Sequence, residues 1–323
     1  MAARRGLAAL VLILAACAGP APGPQTAPAA PLGLSQLAAR ETRALRLELP
    51  GAERPLPAWH WRAKGRPWAV LLGLHGFGDH ALSTFEEAGR FWAARGVELY
   101  AYDQRGFGHN PDRRRWPGAE ALIADVAAVA RAVKARHPGL PLFVIGHSMG
   151  GGVTLSAAGE GRLAEAAGVI LLSPAVWGGD TLPMRYRFTA WAAAQIAPDK
   201  RWTGEGIVRI RITDNPKLLR RLARDPLRFG NPSSAEFLGL VRLSDRALAA
   251  APTNTLPTLT VWGAHDEVVP EAPVRRAHEL FAGPKDFVRV PTGWHMLLRD
   301  LQAEKVHALV LDWMRKIVRT DPA

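Results

Sequence analysis

The sequence contains only one cysteine, Cys17, in 323 residues, and this scarcity excludes a disulfide framework. It also lacks the clustered ligands of a metal site, a phosphate-binding loop and a dinucleotide-binding glycine motif, so we expect neither a metal nor a cofactor. Lysine and arginine outnumber aspartate and glutamate by 41 to 29, a formal net charge of +12. No basic run is interleaved with aromatic residues, so we expect no nucleic-acid partner. The dispersed positive charge instead suits binding to an anionic lipid membrane, or is a general property of the protein surface.

The N-terminal apolar run, from Leu7 to Ala16, is too short to span a bilayer. It follows two arginines and ends in small residues, which is typical of a signal peptide. The sequence Leu-Ala-Ala-Cys that ends at Cys17 resembles the lipobox of bacterial lipoproteins. This resemblance implies a signal peptide over residues 1–16, a lipid on Cys17 and a membrane-anchored protein of the bacterial envelope, either periplasmic or in the outer membrane. Ala18 follows the cysteine in place of an aspartate, which favours the outer membrane, and a plain secretory signal is the alternative reading.

The rest of the chain divides into a tether and one large domain. Residues 17–34 contain five prolines and no charged residue, which predicts an extended tether. In residues 35–323, strand patterns alternate with helix patterns, and this alternation predicts an α/β fold: a mostly parallel sheet with helices on both faces. From about residue 177 to residue 256 only helix patterns occur, so we predict an inserted helical cap there.

One serine lies in a motif suited to nucleophilic chemistry. The sequence Gly-His-Ser-Met-Gly joins an apolar strand pattern to an alanine-rich helix pattern, and Ser148 stands at its centre. A turn this sharp needs glycine at positions 146 and 150, because a Cβ at either position would collide with the neighbouring strand or helix. The turn also leaves the backbone amide of Met149 at a helix N-terminus, where it can stabilise an oxyanion. We predict that Ser148 is the nucleophile.

A serine hydroxyl becomes a good nucleophile only when a base removes its proton and a carboxylate orients that base. Asp266 lies in a loop directly after a strand pattern, and we predict that it is the acid; the adjacent Glu267 is the alternative. His295 follows the last strand pattern in the same way and is the predicted base. The order serine, acid, histidine along the chain is that of α/β-hydrolases.

The loop after an early buried strand should supply the second oxyanion donor, and the backbone amide of Phe77 is the predicted group. Ser83 and Glu86 form a capping-box pattern that predicts the start of the following helix. Seven other polar residues are predicted to brace the loops around the site rather than to react: His75, Asp79, His80, Asp103, Arg105, His109 and His147. Two of them, Asp103 and Arg105, are predicted to form a pair that fixes their turn.

Five motifs together resemble the monoacylglycerol lipase and lysophospholipase branch of the α/β-hydrolases, which domain classifications group with serine aminopeptidases. They are HGFGDH at 75–80, DQRGFG at 103–108, GHSMGG at 146–151, GAHD at 263–266 and GWH at 293–295. The resemblance covers about residues 45–318. It implies the α/β-hydrolase fold, a triad of Ser148, Asp266 and His295, and an oxyanion hole made by the amides of Phe77 and Met149.

The first functional hypothesis is a serine esterase or lipase that cleaves monoacylglycerols, lysophospholipids or similar small acyl esters. A peptidase that captures a free amino terminus is disfavoured, because residues 177–256 contain 13 basic residues against 7 acidic ones. An inactive envelope lipoprotein that serves as a binding module is a third hypothesis, but all three triad residues are present. Five residues of the cap either line an acyl tunnel or simply pack together: Trp177, Met184, Phe188, Trp191 and Trp202.

Overall fold

The computed structural model describes residues 44–178, 181–202 and 210–320. The strands of its sheet are β1 (Leu45–Pro50), β2 (Pro55–Trp61), β3 (Ala69–Leu74), β4 (Val97–Tyr102), β5 (Leu142–His147), β6 (Ala166–Leu172), β7 (Thr258–Gly263) and β8 (Lys285–Val290). The α-helices of the described ranges are α1 (Ala81–Ala93), α2 (Ala119–Arg136), α3 (Met149–Gly159), α4 (Met184–Ile196), α5 (Pro216–Ala223), α6 (Ser234–Ala250), α7 (Glu271–Leu280) and α8 (Ala303–Thr320). None of these helices is both long enough and apolar enough to cross a membrane. The predicted signal peptide (1–16), Cys17 and the tether (17–34) lie outside the described residues.

The eight strands form one sheet in the order β1-β2-β4-β3-β5-β6-β7-β8. β2 runs antiparallel to both of its neighbours, β1 and β4, and every pair from β4 to β8 is parallel. All residues of β3, β4, β5 and β7 are buried, as expected for strands covered on both faces. The predicted mostly parallel sheet is therefore confirmed.

Helices cover both faces of the sheet and create two separate layers of core. On one face, Val70 and Leu72 of β3 belong to an apolar cluster that includes side chains of α2 and α3. On the other face, Leu71 belongs to a cluster with Phe85 of α1 and Val310 of α8. Since the carboxyl ends of parallel strands meet at one edge, the loops after β3, β5, β7 and β8 converge there.

The start of α1 differs from the prediction. The helix begins at Ala81, and its cap is His80, whose side chain accepts a hydrogen bond from the amide of Ser83 at 3.4 Å. The amide of Ala81 is bound by Asp103 Oδ1 at 2.8 Å. Because these groups satisfy the first amides of the helix, Ser83 already lies inside it, and the predicted capping box at Ser83 and Glu86 is wrong.

The segment between β6 and β7 contains α4, α5 and α6. Tyr186 and Ala190 of α4 pack against Phe237 and Val241 of α6. The same α6 also packs closely against α3, where the backbone of Ala250 lies against Gly159. It therefore contributes to the helical layer over the sheet as well as to the insertion.

Three apolar residues of α4 lie neither in a tunnel nor in the core. The relative exposures of Met184, Phe188 and Trp191 are 74%, 63% and 47%. The helix buries its opposite side, through Tyr186 and Ala190, and is apolar on both sides. Both expectations for these three residues are thus wrong, whereas Trp177 and Trp202 are partly buried against the cluster between α4 and α6.

Candidate active site

Ser148 stands on a sharp turn between β5 and α3. Its backbone has φ 53° and ψ −115°, a conformation that a residue with a side chain seldom adopts. A Cβ on Gly146 would lie 2.3 Å from the carbonyl oxygen of Gly150, and one on Gly150 would lie 2.4 Å from the carbonyl oxygen of Leu74. Only glycine fits at these two positions, as the sequence motif indicates, and the tight approach holds the strained turn in place.

Asp266 and His295 are brought together by the loops after β7 and β8. Asp266 Oδ2 lies 2.8 Å from His295 Nδ1, and the carboxylate is fully buried. Its other oxygen accepts the amides of Val268 and Val269 at 2.8 and 3.0 Å. Burial alone would raise the pKa of Asp266, but His295 and these hydrogen bonds outweigh burial and hold the pKa below its usual value. The tautomer that donates from His295 Nδ1 to this carboxylate leaves Nε2 as a proton acceptor.

Glu267, the alternative acid, points to a different partner. Its Oε2 accepts a hydrogen bond from the amide of Arg211 at 2.7 Å. The carboxylate that contacts His295 is that of Asp266. The geometry thus distinguishes two adjacent acids that the sequence left open.

His147 supports the loop that carries His295. Its Nε2 donates to the carbonyl oxygen of His295 at 2.8 Å, and the two imidazole rings are 4.9 Å apart. Burial, the neighbouring His295 and Arg299 lower the pKa of His147 to about 3. His147 is therefore neutral near pH 7, and its Nδ1 has no hydrogen-bond partner among the described residues.

The loop after β3 runs directly past the nucleophile. A Cβ on Gly76 would lie 3.3 Å from the Cβ of Ser148. His75 fixes this loop, because its Nε2 accepts the amide of Gln104 at 2.9 Å while its own carbonyl accepts from the Gln104 side chain at 2.7 Å. Phe77 follows Gly76 in this loop, and Met149 is the first residue of α3, where helix amides have no intrahelical acceptor. Both predicted oxyanion donors thus belong to backbone next to Ser148.

Asp79 and His80 brace the same loop, as predicted, through partners that the sequence did not indicate. Asp79 Oδ2 binds Arg299 Nη2 at 2.6 Å, and both side chains are almost fully buried. Burial would raise the pKa of Asp79, but the Arg299 guanidinium outweighs it and holds that pKa well below its usual range. His80 Nε2 lies 2.8 Å from Asp225 Oδ2, which joins the loop to the segment after α5.

Asp103 and Arg105 do not form the predicted pair. Asp103 Oδ2 lies 2.7 Å from His109 Nδ1, and its other oxygen binds the amide that starts α1. Arg105 instead binds Asp125 of α2 through two nitrogens, at 3.0 and 2.8 Å, and also contacts Glu53. Each residue does fix its turn: Asp103 binds His109 of the same loop and the start of α1, and Arg105 binds α2.

A cavity of about 790 Å³, including its open mouth, lies beside Ser148 and His295. Apolar side chains form much of its wall: Trp177, Leu240, Val241, Val268, Val269 and Met296. Asp79 and Arg228 also line it. A serine beside a histidine that is hydrogen-bonded to a carboxylate can take an acyl group from a substrate. Because the cavity next to it is largely apolar, an apolar acyl chain fits there.

Comparisons with known proteins show which proteins the chain resembles. The monoacylglycerol lipase of Mycolicibacterium smegmatis is 28% identical over 254 residues, which are 78% of this chain and 88% of the relative. The putative monoglyceride lipase of Schizosaccharomyces pombe is 29% identical over 243 residues, which are 72% of this chain but only 63% of that relative's length. A soluble variant of the monoglyceride lipase from Saccharomyces cerevisiae shares the fold, with a TM-score of 0.71 and 19% identity over 85% of this chain and 96% of that one. The model of the serine aminopeptidase, S33, family matches residues 65–302. Since this match covers well over half of the chain, the protein belongs to the serine aminopeptidase S33 family.

Proposed function

We propose that the protein hydrolyses carboxylic esters of acyl lipids, of the monoacylglycerol or lysophospholipid type, through an acyl-enzyme on Ser148. The observation that carries this proposal is the 2.8 Å contact between Asp266 and His295 at a cavity that Ser148 also lines. The similarity to monoacylglycerol lipases supports the same chemistry. The apolar wall of the cavity suits an acyl chain.

The reaction begins when Ser148 Oγ attacks the ester carbonyl carbon and His295 Nε2 takes the hydroxyl proton. The amides of Phe77 and Met149 stabilise the oxyanion, and a donor of this kind contributes about 3 to 4 kcal/mol to the transition state. The tetrahedral species collapses when His295 gives its proton to the alcohol that leaves. Water, activated by His295, then releases the acid and restores Ser148.

The charges of the site give less support to a peptidase function than to an esterase function. Capture of a free amino terminus needs a carboxylate that is available to bind its ammonium group. Asp79 is the acidic side chain in the cavity wall, and it is bound to Arg299 at 2.6 Å. The carboxylate is therefore already neutralised, and an ester substrate fits better than an ammonium group.

The test is hydrolysis of p-nitrophenyl esters from C2 to C16, monoacylglycerols and lysophospholipids by the full chain. We expect turnover of the longer acyl esters, and Ser148→Ala should lower kcat by about a million-fold. His295→Ala should have a similar effect, because the two residues act as a unit. A Ser148→Ala protein with near-normal ester hydrolysis would overturn the proposal.

We further propose that a lipid on Cys17 anchors the protein to a membrane of the bacterial envelope. The support is the arginine-flanked apolar run that ends at this cysteine, followed by an uncharged, proline-rich segment. That segment, residues 17–34, would reach roughly 50 Å when extended as polyproline, so the catalytic domain could stand clear of the membrane surface. The proposal is tested by whether Cys17 carries a fatty acid.

A further inference from the structure

Helix α4 presents a stripe of large apolar side chains on the outside of the protein. The stripe consists of Met184, Phe188 and Trp191, which are 74%, 63% and 47% exposed. Their spacing of four and then three residues places them on one face of the helix, and the rings of Phe188 and Trp191 are 5.8 Å apart. Single exposed apolar residues are common, but a contiguous group of them marks an interaction surface.

The contacts of the opposite side of α4 keep the stripe facing outward. Tyr186 and Ala190 are buried in the cluster between α4 and α6. Arg187 binds both carboxylate oxygens of Asp245 of α6, at 2.6 and 2.8 Å. A rotation that buried the stripe would break this ion pair and expose Tyr186. The exposure of the stripe is therefore fixed by the packing of the helix.

The charges of the same insertion are predominantly positive. Residues 177–256 contain 13 basic residues against 7 acidic ones, and α4 itself contains no acidic residue. The next helix, α5, buries Leu218 and Leu222, and it also lacks acidic residues. Residues 216–224, which are α5 and its C-cap, carry four basic side chains, all of them exposed: Lys217, Arg220, Arg221 and Arg224. One of these, Arg221, pairs with Glu87 at 3.3 Å.

Both helices flank the cavity beside the nucleophile. Trp177 and Val241 belong to the cluster in which α4 buries its inner side, and both also line the cavity. Leu218 of α5 belongs to a cluster with Met296 and Val268, which line the cavity as well. The cavity therefore lies between the two packing clusters. A surface that binds both helices would lie close to the cavity.

We propose that α4 and α5 form a docking surface for an anionic lipid bilayer. The stripe of α4 enters the lipid interface, where aromatic side chains such as tryptophan are favoured. The basic residues of α5 bind the anionic head groups, because the surface of such a bilayer attracts lysine and arginine. This surface is distinct from the proposed lipid on Cys17, and it would fix the orientation of a domain that a flexible tether leaves free.

The size of the stripe favours a bilayer over a second copy of the chain. A stable dimer buries about 800 Å² on each partner. An aromatic side chain buries at most about 250 Å². Three side chains that are already partly covered therefore offer less area than a dimer needs, whereas insertion into a lipid interface needs only a few apolar side chains beside positive charge.

The first test is co-sedimentation with vesicles of phosphatidylcholine alone or mixed with phosphatidylglycerol. The parent is the full chain with Cys17→Ala, so that a lipid on this cysteine does not contribute. We expect the parent to bind the mixed vesicles more tightly. Phe188→Gln with Trp191→Gln should weaken that binding at least about 10-fold. Removal of three charges of α5 should weaken it about 10- to 100-fold, with little effect on binding to phosphatidylcholine alone: Lys217→Gln, Arg220→Gln and Arg224→Gln.

Each change has a matched control elsewhere in the chain. The charge control removes three positive charges from exposed positions of α2 and α8, through Arg131→Gln, Lys305→Gln and Arg319→Gln. It should weaken binding far less than the α5 variant. Leu45→Gln, at a position of β1 that is 50% exposed, is the control for Phe188→Gln alone. A thermal melt checks the fold of each variant. A parent that binds no vesicles, or a folded α4 variant that binds as tightly as its parent, would overturn the proposal.

A site-specific label tests whether the stripe itself meets the lipid. Because Cys17 is the only cysteine of the chain, Phe188→Cys in the Cys17→Ala parent can be labelled with a fluorophore that responds to polarity. Its emission should shift to the blue when mixed vesicles are added, whereas the same label at Leu45→Cys should not shift. A bound protein with an unshifted label at position 188 would overturn the proposal. So would a dimer without lipid, measured by light scattering, that the α4 variant dissociates. Neither test requires turnover, so both are independent of the proposed ester hydrolysis.

Discussion

The choice between two neighbouring carboxylates shows what single residues contribute to the site. In the loop after β7, Asp266 accepts two backbone amides with one oxygen and contacts His295 with the other. Its neighbour, Glu267, binds the amide of Arg211. The turn therefore fixes which acid can orient the imidazole, although both acids occur side by side in the sequence.

Replacement of these two acids should have unequal effects. Asp266→Asn keeps the size of the side chain but favours the wrong tautomer of His295, so we expect kcat to fall about ten-thousand-fold. Glu267→Gln is the control and should change kcat by less than about twofold, because this side chain does not contact the histidine. Steady-state kinetics with a p-nitrophenyl ester measures both. A large loss in Glu267→Gln with a small one in Asp266→Asn would reverse the assignment.

Local motifs in the sequence indicated where the candidate site residues lie better than they indicated the contacts that support those residues. Ser148, Asp266 and His295 each lie in a local motif at the end of a strand pattern, and short-range sequence is enough to recognise such a motif. Arg299 binds Asp79 across 220 positions of the chain, and no local pattern indicates this contact. Such pairs depend on how loops meet at the sheet edge, which the sequence alone does not specify.

At the scale of elements, the loop after β8 is held by a buried carboxylate. Asp300 Oδ2 accepts the amide of Trp294 at 2.8 Å, next to His295. Its Oδ1 accepts the hydroxyl of Thr213 at 2.7 Å, and Thr213 belongs to the segment before α5. Burial, together with the charge of Asp214, raises the pKa of Asp300 to about 6, although its two hydrogen bonds oppose this shift. The contact between the catalytic loop and the insertion therefore includes a group that titrates near pH 6.

This pKa predicts a pH-dependent stability. The pKa of Asp300 rises from a usual 3.8 to about 6 on folding. Between these two pH values the folded protein therefore binds a proton more readily than the unfolded chain does. As the pH rises through this range, the contribution of Asp300 to the free energy of unfolding falls. The loss is up to about 3 kcal/mol above pH 6. Asp300→Asn removes the charge: its oxygen can still accept the amide of Trp294, and its amide nitrogen can donate to the hydroxyl oxygen of Thr213. We expect its Tm to exceed that of wild type by several degrees at pH 7 and by little at pH 4.

The control for this measurement is Asp312→Asn, a carboxamide at an exposed position of α8. Its Tm difference from wild type should stay small at both pH values. A difference between Asp300→Asn and wild type that is the same at pH 4 and pH 7 would show that the buried carboxylate does not cause the effect.

Secondary structure was predictable where the pattern of apolar residues is strong. It was less predictable where a helix is apolar on more than one side. β5 and α3 were predictable, because a continuous apolar run meets the glycine-rich turn at Ser148 and an alanine-rich helix pattern follows it. In α4, Met184 and Phe188 have the same apolar character as Tyr186, which is buried, so the sequence does not reveal which side faces the core. The cap of α1 was misplaced for a different reason, since a histidine and a distant aspartate supply its hydrogen bonds.

At the scale of the whole molecule, the net positive charge of the sequence and the N-terminal motif are the basis for the proposal that the protein acts close to an anionic membrane. A substrate taken from a membrane must reach the cavity beside Ser148, and an anchor would keep the domain near that supply. These features support one account, in which a tethered hydrolase acts on lipids of the surface that holds it.

The proposed lipid anchor predicts where the protein is located in the bacterial cell. Growth with radiolabelled palmitate should label the protein, and the label should be lost in Cys17→Ala. The signal-peptidase inhibitor globomycin should block processing, so that the uncleaved precursor accumulates. The wild-type protein should remain with the membrane fraction, whereas Cys17→Ala should be released into the soluble fraction. An unlabelled wild-type protein would contradict the anchor and leave the proposed hydrolysis untouched.

The central claim, that Ser148 is a nucleophile activated by His295, is tested most directly by covalent labelling. The full-length protein is treated with a fluorophosphonate, digested and mapped by mass spectrometry. We predict one adduct, on the peptide that contains Ser148, and labelling that is much slower in His295→Ala and absent in Ser148→Ala. A wild-type protein that stays unlabelled, or that carries the adduct on another residue, would contradict the account.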